Sequence, residues 1–233
     1  TYFLLINISF GISGYELAFK MNNRNIPIDS KMDLTMNLTN KKGKKRSYII
    51  HSIVKDNAKK QMMWFLEPLA DKGISFLKIE HNNKDDEMYI WLPAFKKSRR
   101  ISAKKKSDSF MGSDISYEDL TNRQIDNYMF NVISQENYDT IPCFLLESIP
   151  KNKIITEYSR HVTWVDTISY VSIKEESFDK KNELLKKKLY TYTDINGYHI
   201  LSKINIINVQ KNHSTILKFK NIELNNNIKD NFF

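Results

Sequence analysis

Apolar and polar residues alternate strictly from Met32 to Thr39, in the order Met-Asp-Leu-Thr-Met-Asn-Leu-Thr. Because successive side chains of a β-strand point to opposite faces, this pattern predicts a strand with one apolar face. The residues Asn40-Lys-Lys-Gly43 then form a turn signal, and a second strand is predicted from about Arg46 to Val54. Together the two segments predict a β-hairpin with one buried face.

Strand patterns of this kind recur along the chain, separated by turn signals such as Asn196-Gly197. About ten or eleven strands are predicted in succession, with short helices only at Tyr15 to Asn23 and Ser116 to Asp126, which indicates a mostly antiparallel sheet. A sheet this wide should curl, and its concave face can enclose either a core or an apolar ligand. The predicted fold class is mainly β: a curved antiparallel sheet with a few short helices.

The chain of 233 residues has a formal net charge of +9, and lysine is the dominant cation. Clustered Lys and Arg can neutralise phosphates, so a nucleic-acid partner has to be considered. The sequence has no helix-turn-helix, zinc-finger or RNA-binding signature, and a solvated Lys-rich surface accounts for the charge. We therefore predict no nucleic-acid partner, whereas an anionic membrane surface stays open as a partner.

The stretch from Met88 to Leu120 contains an apolar strand, a basic run, a Gly-containing turn and an acidic cluster. Seven cations lie between Lys96 and Lys106, and carboxylates follow, so opposite charges can meet across the turn. Such ion pairs would hold a structural loop at the edge of the sheet. The residues predicted to form this loop are Arg99, Arg100, Gly112, Asp114, Glu118 and Asp119.

Motifs that carry catalysis or bind metals are missing from the sequence. The five histidines are scattered, and none lies in an HExxH pattern or another close ligand spacing. No GxSxG elbow, P-loop or dinucleotide-binding fingerprint is present. The single cysteine, Cys143, lies in an apolar run, which is typical of a small buried side chain. We predict no catalytic site, no metal site and no cofactor.

The first residues, Thr1 to Gly14, are mostly apolar and end in small residues. This stretch is too short to span a bilayer, but it suits the apolar region of a secretory signal. We predict that residues 1–14 are the remainder of such a signal, cleaved after Ser13 or Gly14, and that residues 15–233 form a single domain. The alternative is a buried N-terminal strand.

Several motifs resemble those of outer-membrane lipoprotein-sorting proteins. The most specific are Leu92-Pro93, Arg99-Arg100-Ile101, Ser109-Phe-Met-Gly-Ser-Asp114 and Tyr117-Glu-Asp-Leu120. Similar residues, including Phe65-Leu-Glu-Pro68 and Ile141-Pro-Cys143, extend the likeness over nearly the whole chain. The chain resembles the LolA-like proteins of this family, which are often encoded beside transporters of the RND superfamily.

The resemblance implies a half-open antiparallel β-barrel, closed by helices, with an apolar cavity for acyl chains. It also implies a periplasmic carrier of a lipid or lipoprotein, with an RND-type inner-membrane transporter as a partner. Two alternatives stay open. One is a non-enzymatic envelope module that docks a membrane or transporter through its basic face, and the other is an enzyme acting on lipids or envelope polymers.

Apolar side chains on the strands are the candidates for lining such a cavity. Alternation determines which residues of a strand share a face, but it does not show which face is concave. A register error of one residue would therefore exchange the whole set. The predicted lipid-binding residues are Leu34, Met36, Trp64, Leu66, Phe76, Ile90 and Leu92.

Overall fold

The computed structural model describes residues 11–82 and 84–233, so residues 1–10 of the predicted signal segment lie outside the described residues. Within these described residues, one α-helix, α1 (Gly14–Asn22), precedes 13 β-strands. The strands are β1 Asp29–Thr39, β2 Lys45–Lys55, β3 Lys60–Glu67, β4 Ser75–Ile79, β5 Glu87–Leu92, β6 Lys97–Arg100, β7 Tyr128–Tyr138, β8 Ile141–Pro150, β9 Tyr158–Asp166, β10 Ser172–Asp179, β11 Leu184–Ile195, β12 Tyr198–Asn208 and β13 His213–Leu224.

All 13 strands form one antiparallel sheet, in the order β6-β5-β4-β3-β2-β1-β13-β12-β11-β10-β9-β8-β7. Strand β1 pairs with β2 on one side and with β13 on the other, so the first and second halves of the chain extend the sheet in opposite directions. The edges, β6 and β7, do not pair with each other, and the curved sheet stays open. The prediction of a mainly β, half-open barrel is confirmed.

The alternating pattern of β1 determines how the sheet is oriented. Leu34, Met36 and Leu38 are buried on one face, and Met32 packs against the same cluster. The intervening side chains of this strand are only partly buried. The hairpin with β2 is also confirmed, with Met36 opposite Tyr48. Period-2 alternation over a single strand therefore predicted the inner face of this part of the sheet correctly.

Helix α1 confirms the helix predicted near residues 15–23 and covers the edge strand β7. Its N-cap is Ser13, whose side chain accepts a hydrogen bond from the backbone N–H of Glu16 at 3.1 Å. Leu17 and Ala18 form its buried face and pack against β7, β8 and β9. Gly14 lies so close to β7 that an added Cβ would be 2.3 Å from the Phe130 carbonyl oxygen, so only glycine fits there.

The second predicted helix, Ser116 to Asp126, is not an α-helix. The segment contains two short 3-10 turns, Glu118–Leu120 and Ile125–Asn127. Its capping-box signal is nevertheless real, because Ser116 and Asp119 exchange hydrogen bonds between side chain and backbone at 2.9 and 3.2 Å. Thr121 then adopts an extended conformation, with ψ of 151°, which ends the turn before a helix can form.

Strand β6 was not among the predicted strands. Its sequence, Lys-Ser-Arg-Arg, has no apolar residue, and all four side chains are exposed. It pairs with β5 through Tyr89–Arg100 and Ile90–Arg99. Short, charged edge strands of this kind discourage pairing with other chains, and they lack the apolar pattern by which strands are recognised in a sequence.

Candidate functional site

Five of the seven residues predicted to bind lipid lie together on the inner face of β1, β4 and β5. Leu34, Met36, Phe76 and Ile90 are buried in one apolar cluster, and Leu92 packs against it. Tyr48 and Phe65 belong to the same cluster and extend it across β2 and β3. The inner face of β1 to β5 is therefore apolar, as predicted, and its role in lipid binding stays a prediction.

The other two residues, Trp64 and Leu66, point away from this face. Leu66 is 42% exposed, and Trp64 packs on the outside of the sheet with its ring centroid 5.8 Å from that of Phe232. Met63 and Phe65 occupy the inner positions of β3 instead. The choice of face for β3 was wrong, because Met62 to Leu66 are all apolar and alternation gives no information there.

The inner apolar face is covered by the chain itself. Residues 101–127 connect β6 to β7 in sequence and pass across this face. We call them the plug segment. Phe110, Ile115 and Tyr117 of the plug segment are buried in the inner cluster. The Phe110 ring lies 5.2 Å from Phe76 and 5.9 Å from Phe65, between centroids. The space predicted to hold acyl chains is thus filled by side chains of the plug segment.

Two carboxylates anchor the plug segment to the sheet. Asp114 accepts a hydrogen bond from the Thr215 hydroxyl at 2.7 Å and contacts the ring of His213 at 2.7 Å. Asp119 pairs with Lys188 at 2.6 Å and with Lys186 at 2.9 Å. Both contacts join the plug segment to the second half of the sheet.

The predicted ion pairs of Arg99 and Arg100 are not formed. Both side chains are exposed on β6, and neither makes a salt bridge within the described part of the chain. The carboxylates that were expected to pair with them face inward. Glu118 instead accepts a hydrogen bond from the backbone N–H of Glu157 at 3.3 Å, and burial raises the pKa of Glu118. Only the turn at Gly112, with φ of +75°, is as predicted.

A network of buried charges links the plug segment to β9, β10 and β11. Glu175 accepts two hydrogen bonds from the Arg123 guanidinium, at 2.6 and 2.9 Å, and it also pairs with Lys188 at 3.2 Å. Burial would raise the pKa values of Asp119 and Glu175, but the neighbouring cations outweigh it and hold both well below their usual range. The cations and carboxylates therefore stay charged and satisfy each other.

His161 is the neutral member of this network. Its Nδ1 lies 2.9 Å from the Ser177 hydroxyl and 3.1 Å from the Arg123 guanidinium. Burial lowers the pKa of His161 well below its ordinary value, and the positive charge of Arg123 lowers it further. These two causes outweigh the attraction of Glu175, so the ring stays uncharged inside the folded protein.

We expect the folded protein to lose stability between pH 7 and pH 5 because of His161. In the unfolded chain this ring takes up a proton near pH 6.5, whereas the folded protein resists it, so a falling pH favours the unfolded state. The expected loss over this interval is about 2 kcal/mol. The depressed carboxylates Asp119 and Glu175 lose their contribution only at lower pH, below about 4.

Urea unfolding at pH 7 and pH 5 measures this effect. In His161→Gln the loss between the two pH values should be about 2 kcal/mol smaller than in the unchanged protein. His199→Gln, at an exposed position on β12, is the matched control and should keep the full loss. An equal loss in both variants would contradict the assignment to His161.

A cavity of about 540 Å³ lies beside this network, under α1 and the plug segment. One side of it is apolar, where Met21 of α1 faces Phe130 of β7 and Leu146 of β8. The other side is polar, with Arg123 and, on the sheet, Tyr128, Tyr190 and Tyr192. The cavity is thus amphipathic, and its volume falls in the range of small-molecule sites.

The tyrosine hydroxyls of the polar side are protonated donors. Burial raises the pKa of Tyr192 to about 12 and raises the pKa values of Tyr190 and Tyr128 as well. Hydroxyl groups in this state can donate to ester, hydroxyl or phosphate oxygens of a ligand. The cavity can therefore hold a molecule that has both an apolar chain and oxygen acceptors.

Sequence analysis did not identify the charged and tyrosine residues of β10 and β11 as part of a site. Lys186, Lys188, Tyr190 and Tyr192 alternate along β11 and face inward. The alternation was visible, but charged residues on a strand usually mark the outer face. Their partners on the plug segment are about 70 residues away in sequence, so the ion pairs could not be read from local patterns.

Other kinds of site are not supported by the described residues. No group of three or more His, Cys, Asp or Glu side chains there is arranged to hold a metal ion. In the same part of the chain, no helix is long and apolar enough to cross a bilayer. Cys143 is buried, and burial raises the pKa of its thiol.

Known proteins show which family has this architecture. A family model described as an uncharacterized protein matches residues 57–233. A DUF1329 family protein from Desulfovibrio piger superposes with a TM-score of 0.88 and 29% identity, covering 94% of this chain and 95% of that chain. A domain named as an outer membrane lipoprotein-sorting protein, from Vibrio parahaemolyticus, gives the same TM-score and identity and covers 94% of both chains.

A LolA superfamily protein from Nitrosomonas europaea is 17% identical, with a TM-score of 0.75 over 95% of this chain and 97% of that chain, and it supports the fold alone. A search of curated protein sequences finds no match. The lipoprotein-sorting relative at 29% identity and the LolA superfamily fold agree with the family recognised from the sequence motifs. The chain belongs to the LolA-like family of outer-membrane lipoprotein-sorting proteins.

Proposed function

We propose that this protein is a periplasmic carrier that binds the acyl chains of a lipid or lipoprotein and passes its cargo across the envelope. An RND-type inner-membrane transporter is the partner that we propose for loading or release. The observation that carries the proposal is the amphipathic cavity of about 540 Å³ beside an apolar inner face, in a chain of the lipoprotein-sorting family. The role is one of binding, because the buried carboxylates and lysines near the cavity are consumed by ion pairs with each other.

The two sides of the cavity select an amphiphilic cargo. Each acyl methylene buried against the apolar side contributes about 0.8 kcal/mol. A ligand without oxygen atoms would cover the hydroxyls of Tyr190 and Tyr192 without satisfying them, which costs about 1–3 kcal/mol for each group. A lipid whose ester or headgroup oxygens meet these hydroxyls avoids that cost, so the cavity favours a lipid over a plain hydrocarbon.

The plug segment provides a way to bind and release a larger cargo. If it moved off the inner face, the cavity and the apolar cluster of β1 to β5 would form one continuous surface. Acyl chains would then replace Phe110, Ile115 and Tyr117, and return of these side chains would expel the cargo. Exchange of this kind needs no chemical step.

Solvent extraction of the purified protein followed by mass spectrometry tests the proposal. We expect acyl lipids in the extract, and we expect the lipid-free protein to bind a fluorescent fatty acid. Tyr190→Phe combined with Tyr192→Phe should weaken that binding roughly tenfold, because two hydrogen bonds are lost. Tyr89→Phe, on the outer side of β5, is the matched control and should have no effect.

An extract without lipid, together with no binding of the fluorescent fatty acid, would contradict the carrier proposal. The filled inner face favours a second candidate in that case: an interaction module without cargo, which docks a membrane or transporter through its basic surface. The plug segment would then be a permanent part of the core.

A further inference from the structure

Three hairpin connections lie at one end of the sheet. Because β1 to β6 are successive antiparallel neighbours, the β1–β2, β3–β4 and β5–β6 connections must all emerge on the same side. The contacts agree with this, since Arg46 pairs with Asp71 at 2.7 Å, and an added Cβ at Gly73 would lie 3.3 Å from Cγ of Pro93. We call residues 40–46, 67–74 and 92–97 the lysine end.

The lysine end carries most of the net charge of the chain. It has eight cations and two carboxylates, a net charge of +6, whereas the whole chain has +9. The cations are Lys41, Lys42, Lys44, Lys45, Arg46, Lys72, Lys96 and Lys97, and all of them are exposed. Within the described residues only Arg46 forms a salt bridge, so seven lysines face solvent without a carboxylate partner.

Two large apolar side chains project from the same end. Leu69 is 85% exposed and Phe95 is 69% exposed. Leu69 lies in a short 3-10 turn that follows Pro68, and Phe95 lies in one that begins at Pro93. The prolines restrict the backbone of both turns, which hold the two side chains outward. Exposed apolar residues surrounded by cations are the pattern of protein surfaces that bind at the interface of anionic lipids.

We propose that the lysine end docks on an anionic phospholipid bilayer, with Leu69 and Phe95 inserted among the acyl chains and the lysines at the phosphate level. Charge complementarity identifies this occupant, because a lysine near an anionic surface contributes about 1 kcal/mol. The surface consists of projecting turns, which suits a deformable bilayer better than a folded protein partner. None of its residues lines the cavity, so the proposal is independent of cargo binding.

Sedimentation with lipid vesicles tests the docking. The protein should bind vesicles of phosphatidylcholine containing 30% phosphatidylglycerol, roughly the anionic fraction at which electrostatic attraction is strong, and it should release them at high salt. Charge reversal by Lys41→Glu, Lys42→Glu and Lys44→Glu together should weaken binding on the order of 100-fold. Leu69→Ser with Phe95→Ser should weaken it by at least about tenfold, since two buried apolar side chains are lost.

Two matched controls test whether exposed lysines or exposed apolar side chains elsewhere on the protein have the same effect on vesicle binding. Lys104→Glu with Lys105→Glu changes two exposed lysines elsewhere, and Ile168→Ser removes a side chain that is 82% exposed in the β9–β10 turn. Both controls should bind vesicles nearly as well as the unchanged protein. Equal loss in the controls and the lysine-end variants, or no binding to anionic vesicles at all, would overturn the proposal.

The same variants show whether docking and cargo binding are separate. We expect lipid extracted from the lysine-end variants to match the unchanged protein in amount. If the docking proposal is wrong, the protein does not bind vesicles but still yields extracted lipid. If the carrier proposal is wrong, no lipid is extracted but the protein still binds vesicles. A lysine end that captures only an acidic protein, and no vesicles, would also refute the membrane proposal.

Discussion

Replacing Asp119 with alanine is expected to destabilise the folded protein by about 3–5 kcal/mol. This carboxylate is the shared partner of Lys186 and Lys188, and it also accepts a hydrogen bond from the Tyr158 hydroxyl at 3.0 Å. Its removal leaves two buried ammonium groups with too little negative charge around them. The attraction of these lysines holds the pKa of Asp119 well below its usual range, which has the same physical origin.

Urea unfolding at pH 7 measures this loss. Asp108→Ala is the matched control, because Asp108 is an exposed carboxylate in the same plug segment, and it should change the unfolding free energy by less than about 0.5 kcal/mol. A third variant combines Asp119→Leu with Lys186→Met and Lys188→Met. It removes Asp119 and its two lysines together, leaves the Arg123–Glu175 pair in place, and should recover most of the lost stability. Equal midpoints for Asp119→Ala and Asp108→Ala would show that the network does not stabilise the fold.

The sheet could be predicted from sequence because its signal is local. Residues 32–39 alternate over most of one strand, and their inner face was identified correctly. The same reasoning failed on β3, where Trp64 and Phe65 are neighbours in an unbroken apolar run and only the packing of the sheet decides between them. Alternation therefore shows which face of a strand is buried only where polar residues separate the apolar ones.

The site was harder to predict because its contacts are not local. Asp119 and Arg123 fall in the segment predicted to be a short helix, Ser116 to Asp126, and their partners Lys188 and Glu175 lie on strands in the second half of the chain. Arg99 and Arg100 were nearer in sequence, and proximity suggested the wrong pairs. A cation buried in a sheet contradicts the usual rule for charged residues, so only the folded arrangement reveals it.

Replacing Phe110 with alanine is expected to destabilise the protein by roughly 3–5 kcal/mol and to open the inner face to lipid. The ring fills the space between Phe65, Phe76 and Tyr117, with centroid distances of 5.9, 5.2 and 5.7 Å. Its removal leaves an apolar hole that an acyl chain can enter. Two additional methylenes buried there would strengthen fatty-acid binding by about 1.6 kcal/mol, which is roughly tenfold.

Urea unfolding and titration with a fluorescent fatty acid measure both parts of this prediction. Phe232→Ala is the matched control, since this ring packs against Trp64 on the outer face and should affect neither the inner cluster nor lipid binding. If Phe110→Ala loses stability while its affinity for the fatty acid stays unchanged, the plug segment is a permanent part of the core. Tighter binding would mean that the plug segment and an acyl chain compete for the same apolar face, as exchange of cargo requires.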